Sequence, residues 1–338
     1  MSGKYASRRA VLQGAAITVA AALLPMTGWA DETRNLGGRA FSDPAEVLPM
    51  PDSWIGRAIQ RPEGADLALA IDQQLFPALE PFVRDWAGRN NVKVALLEGT
   101  CGIASDGLSG KTADITGMCC PPGPLDRLPG VRYHTIGIGA VALLVNPANP
   151  LSQVDLATAR QLFGGDIASW SDLPVSGVGS LGKRVSAVAR LHCVARPGHW
   201  RLLLDNPDLF SQTVVEVPAI ADMLRRIATE PGAIGYETLW HVRDKLGDGK
   251  VKALRLNGFA PDDDEALARG AYPVYRVFNI TSWTTAPAAD ARATALVQHL
   301  VEIAPLIPKV YGFVPASRLR AGGWRFVGDE VVGEPGRA

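Results

Sequence analysis

The feature that most narrows the fold is an alternation of short apolar runs and helical patterns between residues 66 and 120. Leu67-Ala68-Leu69-Ala70-Ile71 has the length of a buried strand, and Phe76, Leu79, Phe82, Val83 and Trp86 then recur at helical spacing. Val92-Lys93-Val94-Ala95-Leu96-Leu97 reads as a second strand, Ile103 to Leu108 as a short helix, and Ala113-Asp114-Ile115-Thr116 as a third strand. Parallel strands need a crossover, and a helix is the usual one, so this rhythm predicts a parallel α/β sheet with helices on its faces. Ligands of such sheets gather at the carboxyl ends of the strands, where helix N-termini offer unpaired amides and a positive dipole end.

Those strand ends carry Asp72-Gln73, Gly99-Thr100-Cys101-Gly102 and Met118-Cys119-Cys120-Pro121. A fourth segment, Arg196-Pro197-Gly198-His199-Trp200, follows a later strand (Val185 to Val194). Hydroxyls, backbone amides and a guanidinium suit oxyanions, whereas thiolates and imidazole suit soft ions. Thr100, Cys101 and Gly102 are thus candidate donors from one side, and Arg196 and His199 from the other, with Trp200 covering the ligand. Cys101 precedes a helix, a position that lowers a thiol pKa.

The rest of the chain continues in kind. Thr135 to Val145 is β-branched and glycine-punctuated, a strand pattern long enough for two consecutive strands, and Asn146-Pro147-Ala148-Asn149-Pro150 stops it. Helices are predicted over Val154 to Phe163, Ala219 to Thr229 and Ala291 to Ile303. Strands are predicted at Ala233 to Tyr236 and Tyr272 to Ile280. The acidic run Asp262 to Glu265 lacks the alternating spacing of a calcium loop and reads as a helix start.

The first thirty residues read as an address. Ser7-Arg8-Arg9-Ala10-Val11-Leu12 puts a twin arginine before an apolar run that ends at Leu24, and Gly28-Trp29-Ala30 supplies small residues for cleavage. The run is too short for a comfortable membrane span, and no later segment is long enough. The expectation is export to the periplasm by the twin-arginine route. That segment holds Lys4, Arg8 and Arg9 and no acid, so 34 bases less these three leave 31 against 34 acids, a net charge of −3. With no basic stripe, nucleic acid is excluded as a partner. Four cysteines are too few for a disulfide scaffold. No G-x-S-x-G, Walker loop or H-E-x-x-H occurs, so no catalytic residue is named and no cofactor is implied.

Several stretches together resemble the phosphate-type solute-binding proteins of ABC importers. Ala159-Arg160-Gln161-Leu162-Phe163-Gly164-Gly165-Asp166-Ile167 with Trp170-Ser171-Asp172-Leu173 is similar to that family's helix and its F-x-G-x-I-x-x-W-x-D-L segment. Pro231-Gly232-Ala233-Ile234-Gly235-Tyr236 resembles its strand turn, Thr112-Ala113-Asp114-Ile115 and Tyr272-Pro273 two of its strands, and Gly312-Phe313-Val314-Pro315 its C-terminal motif. The similarity runs from about Asp66 to Ser317. It implies a type II periplasmic-binding fold: two α/β lobes, each a mixed sheet flanked by helices, joined by two crossing strands. Lobe one would comprise residues 66–138 and 275–325, and lobe two residues 139–274. Residues 31–65 would be an extended surface segment and 326–338 a tail.

The resemblance further implies a non-enzymatic protein that traps a small oxyanion of the phosphate type for an importer's permease or a periplasmic sensor domain. Its ligand loops depart from the pattern: an acid at Asp72 with Gln73 replaces serine or threonine, Cys119-Cys120 replaces serine or aspartate, and Arg196 keeps its charge without the hydroxyl cradle. Three alternatives stay open for the cysteines: a disulfide between Cys101 and Cys119 or Cys120, a site for copper or an arsenite-like metalloid using Cys101, Cys119, Cys120 and His199, or inert packing. A ligand-free interaction module on the same fold is a further alternative.

Overall fold

The alternation at residues 66–120 builds one half of a six-stranded sheet in the computed structural model, which describes residues 35–36, 39–174, 184–191, 202–204 and 206–336. The twin-arginine segment and Arg196, His199 and Trp200 lie outside the described residues, as does Cys193. Strands Leu67–Asp72, Val94–Gly99 and Ile115–Met118 run parallel, with Leu67–Asp72 between the other two. Every residue of that central strand is buried, as expected where helices cover both faces. Antiparallel strands Tyr275–Trp283, Val131–Ala140 and Phe313–Pro315 complete the sheet beyond Ile115–Met118.

A second sheet has five strands in the order Val215–Glu216, Ser186–Ala189, Ala233–Glu237, Ala142–Val145, Lys252–Ala253. The first three are mutually parallel and the last two antiparallel to their neighbours. Each sheet has its own apolar core. Phe163, Trp170, Ile227 and Tyr236 belong to the core of the second, and Leu67, Leu79, Trp283 and Leu296 to that of the first. The long apolar run predicted as strand is divided between the sheets at Val141, whose amide bonds the Val274 carbonyl at 3.0 Å. The return path is adjacent: Tyr272 donates its hydroxyl to the Val141 carbonyl at 3.0 Å.

The helices start and stop on local chemistry. Asp155 caps Leu156–Gly164 by accepting from the Thr158 amide at 2.6 Å, and Gly165 ends that helix in the left-handed region at φ 91°. A Cβ there would meet the Ser211 side chain at 2.7 Å as well as the backbone penalty. Trp170, the aromatic of the resembling segment, is fully buried and donates to the Gly232 carbonyl at 3.0 Å. Two of the motifs are therefore one packing unit.

Two expectations are corrected at the ends of the chain. The segment expected to lie extended on the surface is irregular, but it sinks Trp54 and Ile59 into the first core and Phe41 into the second. Arg61 anchors it with a bidentate pair to the buried Asp114, at 2.8 and 2.6 Å. The stretch expected as a tail carries an antiparallel hairpin, Arg325–Val327 with Glu330–Gly333, and Val331 is buried against the second core. A buried pair holds it: Arg127 reaches Glu330 through two bonds of 2.7 and 2.6 Å, and also the Ser42 carbonyl at 2.7 Å. The reason sequence missed it is that Arg-Phe-Val and Glu-Val-Val-Gly are too short to show a period.

Removing one partner of such a pair leaves the other charge buried and uncompensated, at a cost of about 3–5 kcal/mol. Arg127→Met is therefore expected to lower the urea-unfolding free energy by about that much, and the double variant Arg127→Met/Glu330→Leu to recover most of the loss.

Candidate functional site

The carboxyl ends of the parallel strands of both sheets converge, and the side chains there form one buried polar cluster. From the first sheet come Asp72 and Gln74, Cys101 at the start of the Cys101–Ser109 helix, Cys119 and Cys120 after the Ile115–Met118 strand, and Arg276 from Tyr275–Trp283. From the second come Arg190, one residue past Ser186–Ala189, and Glu237, the last residue of Ala233–Glu237. Thr238 and His241 follow in the next helix turn.

Glu237 is the hub. Its Oε2 accepts from Arg190 Nη1 at 3.1 Å, and its Oε1 accepts from Arg276 Nη2 at 3.2 Å, Gln74 Nε2 at 3.2 Å and the Thr238 amide at 2.9 Å. Burial alone would raise the Glu237 pKa, but Arg276, His241 and Arg190 outweigh it and hold the carboxyl below its ordinary range. Arg276 joins this hub to the thiols: its Nη1 lies 3.5 Å from Cys119 Sγ. Three atoms flanking Glu237 make no hydrogen bond although buried: Arg190 Nε, Arg276 Nε and Gln74 Oε1. Such orphans are rare and costly, about 1–3 kcal/mol each.

The thiols converge by geometry that the sequence only hinted at. Cys101 Sγ and Cys119 Sγ are 3.1 Å apart, and the Cys119 amide donates to Cys101 Sγ at 3.3 Å. Of the three alternatives left open, this structure has the two sulfurs in a hydrogen-bond contact, where a covalent bond would bring them to about 2.05 Å. Cys101 also meets the Cys120 side chain, and these two sulfur contacts, followed by burial, push the Cys101 thiol well up. The expected helix-start depression is thus overridden. Asp72 completes the group, a carboxyl oxygen and the Cys101 and Cys119 sulfurs all lying within 4.8 Å of one another. Burial first, then the adjoining Cys119, push the Asp72 carboxyl well above its usual value, and its Oδ1 accepts from the Gln74 amide at 2.9 Å.

The other candidates divide. Thr100 caps the helix, its hydroxyl oxygen accepting from the Ile103 amide at 3.3 Å, and is exposed. Gly102 is exposed at the same helix start, and Gln73 spends its amide on the Gly99 carbonyl at 2.8 Å. Arg196, His199 and Trp200 lie outside the described residues. Sequence reasoning missed Gln74, Arg190, Glu237, His241 and Arg276. The available signals were a strand ending in Tyr236-Glu237 and a lone arginine inside the apolar strand Tyr275–Trp283. Tyr236, a cleft candidate by its position, is fully buried and exchanges bonds with the Arg190 backbone at 2.9 and 3.1 Å.

A second polar chain stands apart. His134 Nε2 lies 2.9 Å from Ser282 Oγ and its Nδ1 3.1 Å from Asp329 Oδ2. Residues 132–134 pair with 280–282, at the far end of the strands whose near end pairs Arg276 with Gly139. Ser282 is buried in that sheet, so the chain fastens the C-terminal hairpin to it.

No family model matches the chain, and no curated protein does. Solved structures do. An ABC-type phosphate transport receptor from Vibrio cholerae is 16% identical, with a TM-score of 0.59 over 74% of this chain and 99% of that one. A protein from Clostridium perfringens described as a phosphate ABC transporter substrate-binding protein, with phosphate bound, is 14% identical, with a TM-score of 0.61 over 74% and 98%. PstS from Borrelia burgdorferi is 14% identical, with a TM-score of 0.51 over 74% and 98%. At these identities the likeness is one of fold. The chain has the type II periplasmic-binding fold, as the order of its motifs implied. Among the described residues, no helix is long and apolar enough to cross a membrane.

His241 gives the cluster a pH signature. Burial lowers its pKa to about 4 against 6.5 for an ordinary histidine, with Glu237 partly opposing the shift. The folded state then binds fewer protons than the unfolded one between these values, so the stabilisation is fully present above pH 6.5 and is lost as pH falls toward 4. At about 1.4 kcal/mol per pH unit this is worth on the order of 3 kcal/mol. Unfolding free energies of wild type and His241→Gln, measured across that window, are expected to differ by a slope of this size, steeper in the wild type.

Proposed function

We infer that this chain is an exported solute-binding protein that closes its two lobes over a small oxyanion of the phosphate type. The observation that carries the reading is the charge and hydrogen-bond balance of the buried cluster. Two guanidinium groups, Arg190 and Arg276, share one carboxylate, Glu237. The second carboxyl, Asp72, makes no ion pair with an arginine among the described residues, and burial first, then Cys119, push its pKa up. Two guanidinium groups share that one paired carboxylate, and two Nε–H donors and one amide oxygen beside it stay unsatisfied. A buried ligand that accepts from guanidinium and donates one hydroxyl to Gln74 fits that remainder, which describes a singly protonated oxyanion.

The fold supports the same reading. The Vibrio cholerae and Clostridium perfringens proteins are by their descriptions phosphate receptors, and each is covered almost end to end. The helix start at Cys101-Gly102 adds the positive end of a helix dipole on the first-sheet side. Closure around a ligand is the usual output of this architecture, read by an importer's permease or by a periplasmic sensor domain. The twin-arginine segment and the strand-end cluster both serve that role without any catalytic group.

The thiols favour a second reading, in which a thiophilic metal or metalloid is the ligand, because Asp72, Cys101 and Cys119 bring three ligating atoms within 4.8 Å of one another. Calorimetry on the protein beginning at residue 31 separates the two. With reductant present, phosphate or arsenate, which keep a proton at neutral pH, is expected to bind with a measurable heat and sulfate, which keeps none, to bind more weakly, and Arg190→Gln or Arg276→Gln to weaken the binding at least tenfold while circular dichroism stays unchanged. Absence of heat with all three anions would remove the phosphate-type reading.

A further inference from the structure

His134, Ser282 and Asp329 stand in an order that fastening a hairpin does not require. Ser282 lies two residues beyond Ile280, the antiparallel partner of His134, so the serine and histidine side chains share one face of the sheet. A carboxylate can only accept, so the 3.1 Å contact with Asp329 places the imidazole proton on Nδ1. Nε2 is then left to accept from the Ser282 hydroxyl at 2.9 Å. The hairpin aims Asp329 at the ring: Gly328 turns in the left-handed region at φ 58°, and the Asp329 carbonyl accepts from the Thr135 amide at 2.9 Å. All three residues line one cavity of about 590 Å³, bounded on its other side by the Ala291–Ile303 helix. Arg132, the cross-strand partner of Ser282, lines it too and brings an exposed positive charge.

We propose that this cavity is a second, hydrolytic site for small carboxylic esters, with Ser282 as nucleophile, His134 as its general base and Asp329 orienting the imidazole. In the first step Ser282 Oγ forms a bond to the ester carbonyl carbon while its proton passes to His134 Nε2. The bond from that carbon to the leaving oxygen breaks, and Nε2 gives the proton to it, so the alcohol departs neutral. Water then attacks the acyl-serine, passing one proton to Nε2, which returns it to Ser282 Oγ as the carboxylic acid leaves. The sum is ester and water to acid and alcohol, with no change of oxidation state. Arg132 is the cation on hand to stabilise the carbonyl oxygen as it gains charge. One exposed guanidinium is weaker support than a pair of fixed amides, which restricts the site to esters rather than amides. Val297 and Val301 of the helix give the acyl or alcohol group an apolar wall, and the volume is that of a small-molecule site. Roughly 20 Å of strand separates Ser282 from Arg276, so this site works apart from the strand-end cluster.

The test is a fluorophosphonate probe, which reacts with serines that a neighbouring base has activated. On the full chain it is expected to attach to Ser282, as mapped by peptide mass spectrometry, and p-nitrophenyl acetate is expected to be hydrolysed faster than by Ser282→Ala. His134→Gln is expected to slow labelling about a hundredfold. The charged groups facing the imidazole are Asp329 from the hairpin, Arg132 on its own strand and Glu302 from the helix. Burial lowers the His134 pKa, with Asp329 opposing, so labelling is expected to rise with pH through a midpoint below 6.5 as Nε2 loses its proton. Asp329→Asn removes a group that raises that pKa, so the midpoint is expected to fall further and the plateau rate to drop. A residue that only fastened the hairpin would move neither. The proposal is overturned if Ser282 takes up no probe, if wild type and Ser282→Ala hydrolyse the ester equally, or if Asp329→Asn leaves the midpoint where it was.

Discussion

Everything at the centre of this molecule depends on one carboxylate held by two guanidinium groups. Glu237 ends a strand of the second sheet, and of its partners, Arg190 belongs to that sheet while Arg276 and Gln74 belong to the first. Of the four hydrogen bonds to this buried carboxylate, the two from Arg276 and Gln74 join one strand-end surface to the other. Buried ion pairs give little net stability, because desolvation consumes most of the attraction, but an unmatched partner is severely penalised. The cluster therefore acts through the cost of disorder: any lobe movement that parts Gln74 and Arg276 from Glu237 must supply water or a ligand in their place. That makes the hub a latch between the two sheets.

The sequence made the scaffold legible and hid the latch. Strand and helix periods located nearly every element between residues 66 and 118, because a parallel sheet buries its strands whole and leaves an unmistakable apolar run. The predicted helix over 291–303 coincides with the observed one, and Asp155 and Thr100 announce their helices by capping. By contrast, Arg276 lies inside an apolar strand, where a charged residue looks like noise, and its partner Glu237 is 39 residues away. Pairings of that kind come from topology alone. The loop Asp72 to Gln74 was read one residue short: Asp72 and Gln73 were singled out, while Gln74 makes the contact across the sheets.

The cysteines show where spacing stops being informative. Cys101 and Cys119 are 18 residues apart, with neither a metal-ligand pattern nor a redox motif between them. They meet because the strands that precede them flank Leu67–Asp72 in the sheet and all three end at the same edge. Their environment then reverses the expectation drawn from the helix dipole. A partial positive charge at a helix start favours a thiolate in water-exposed loops, but here burial and two neighbouring sulfurs oppose ionisation. The residue types predicted the chemistry at stake, and the packing decides which protonation state is resident.

The two halves of the cluster also constrain each other. If the thiols ionised freely, they would compete with Glu237 for Arg276, and the latch would loosen whenever the site was empty. The upward shifts of Cys101 and Asp72 oppose that competition, and Arg276 keeps its pair with Glu237. The requirement that Glu237 keep both arginines thus limits which charges can be added beside it.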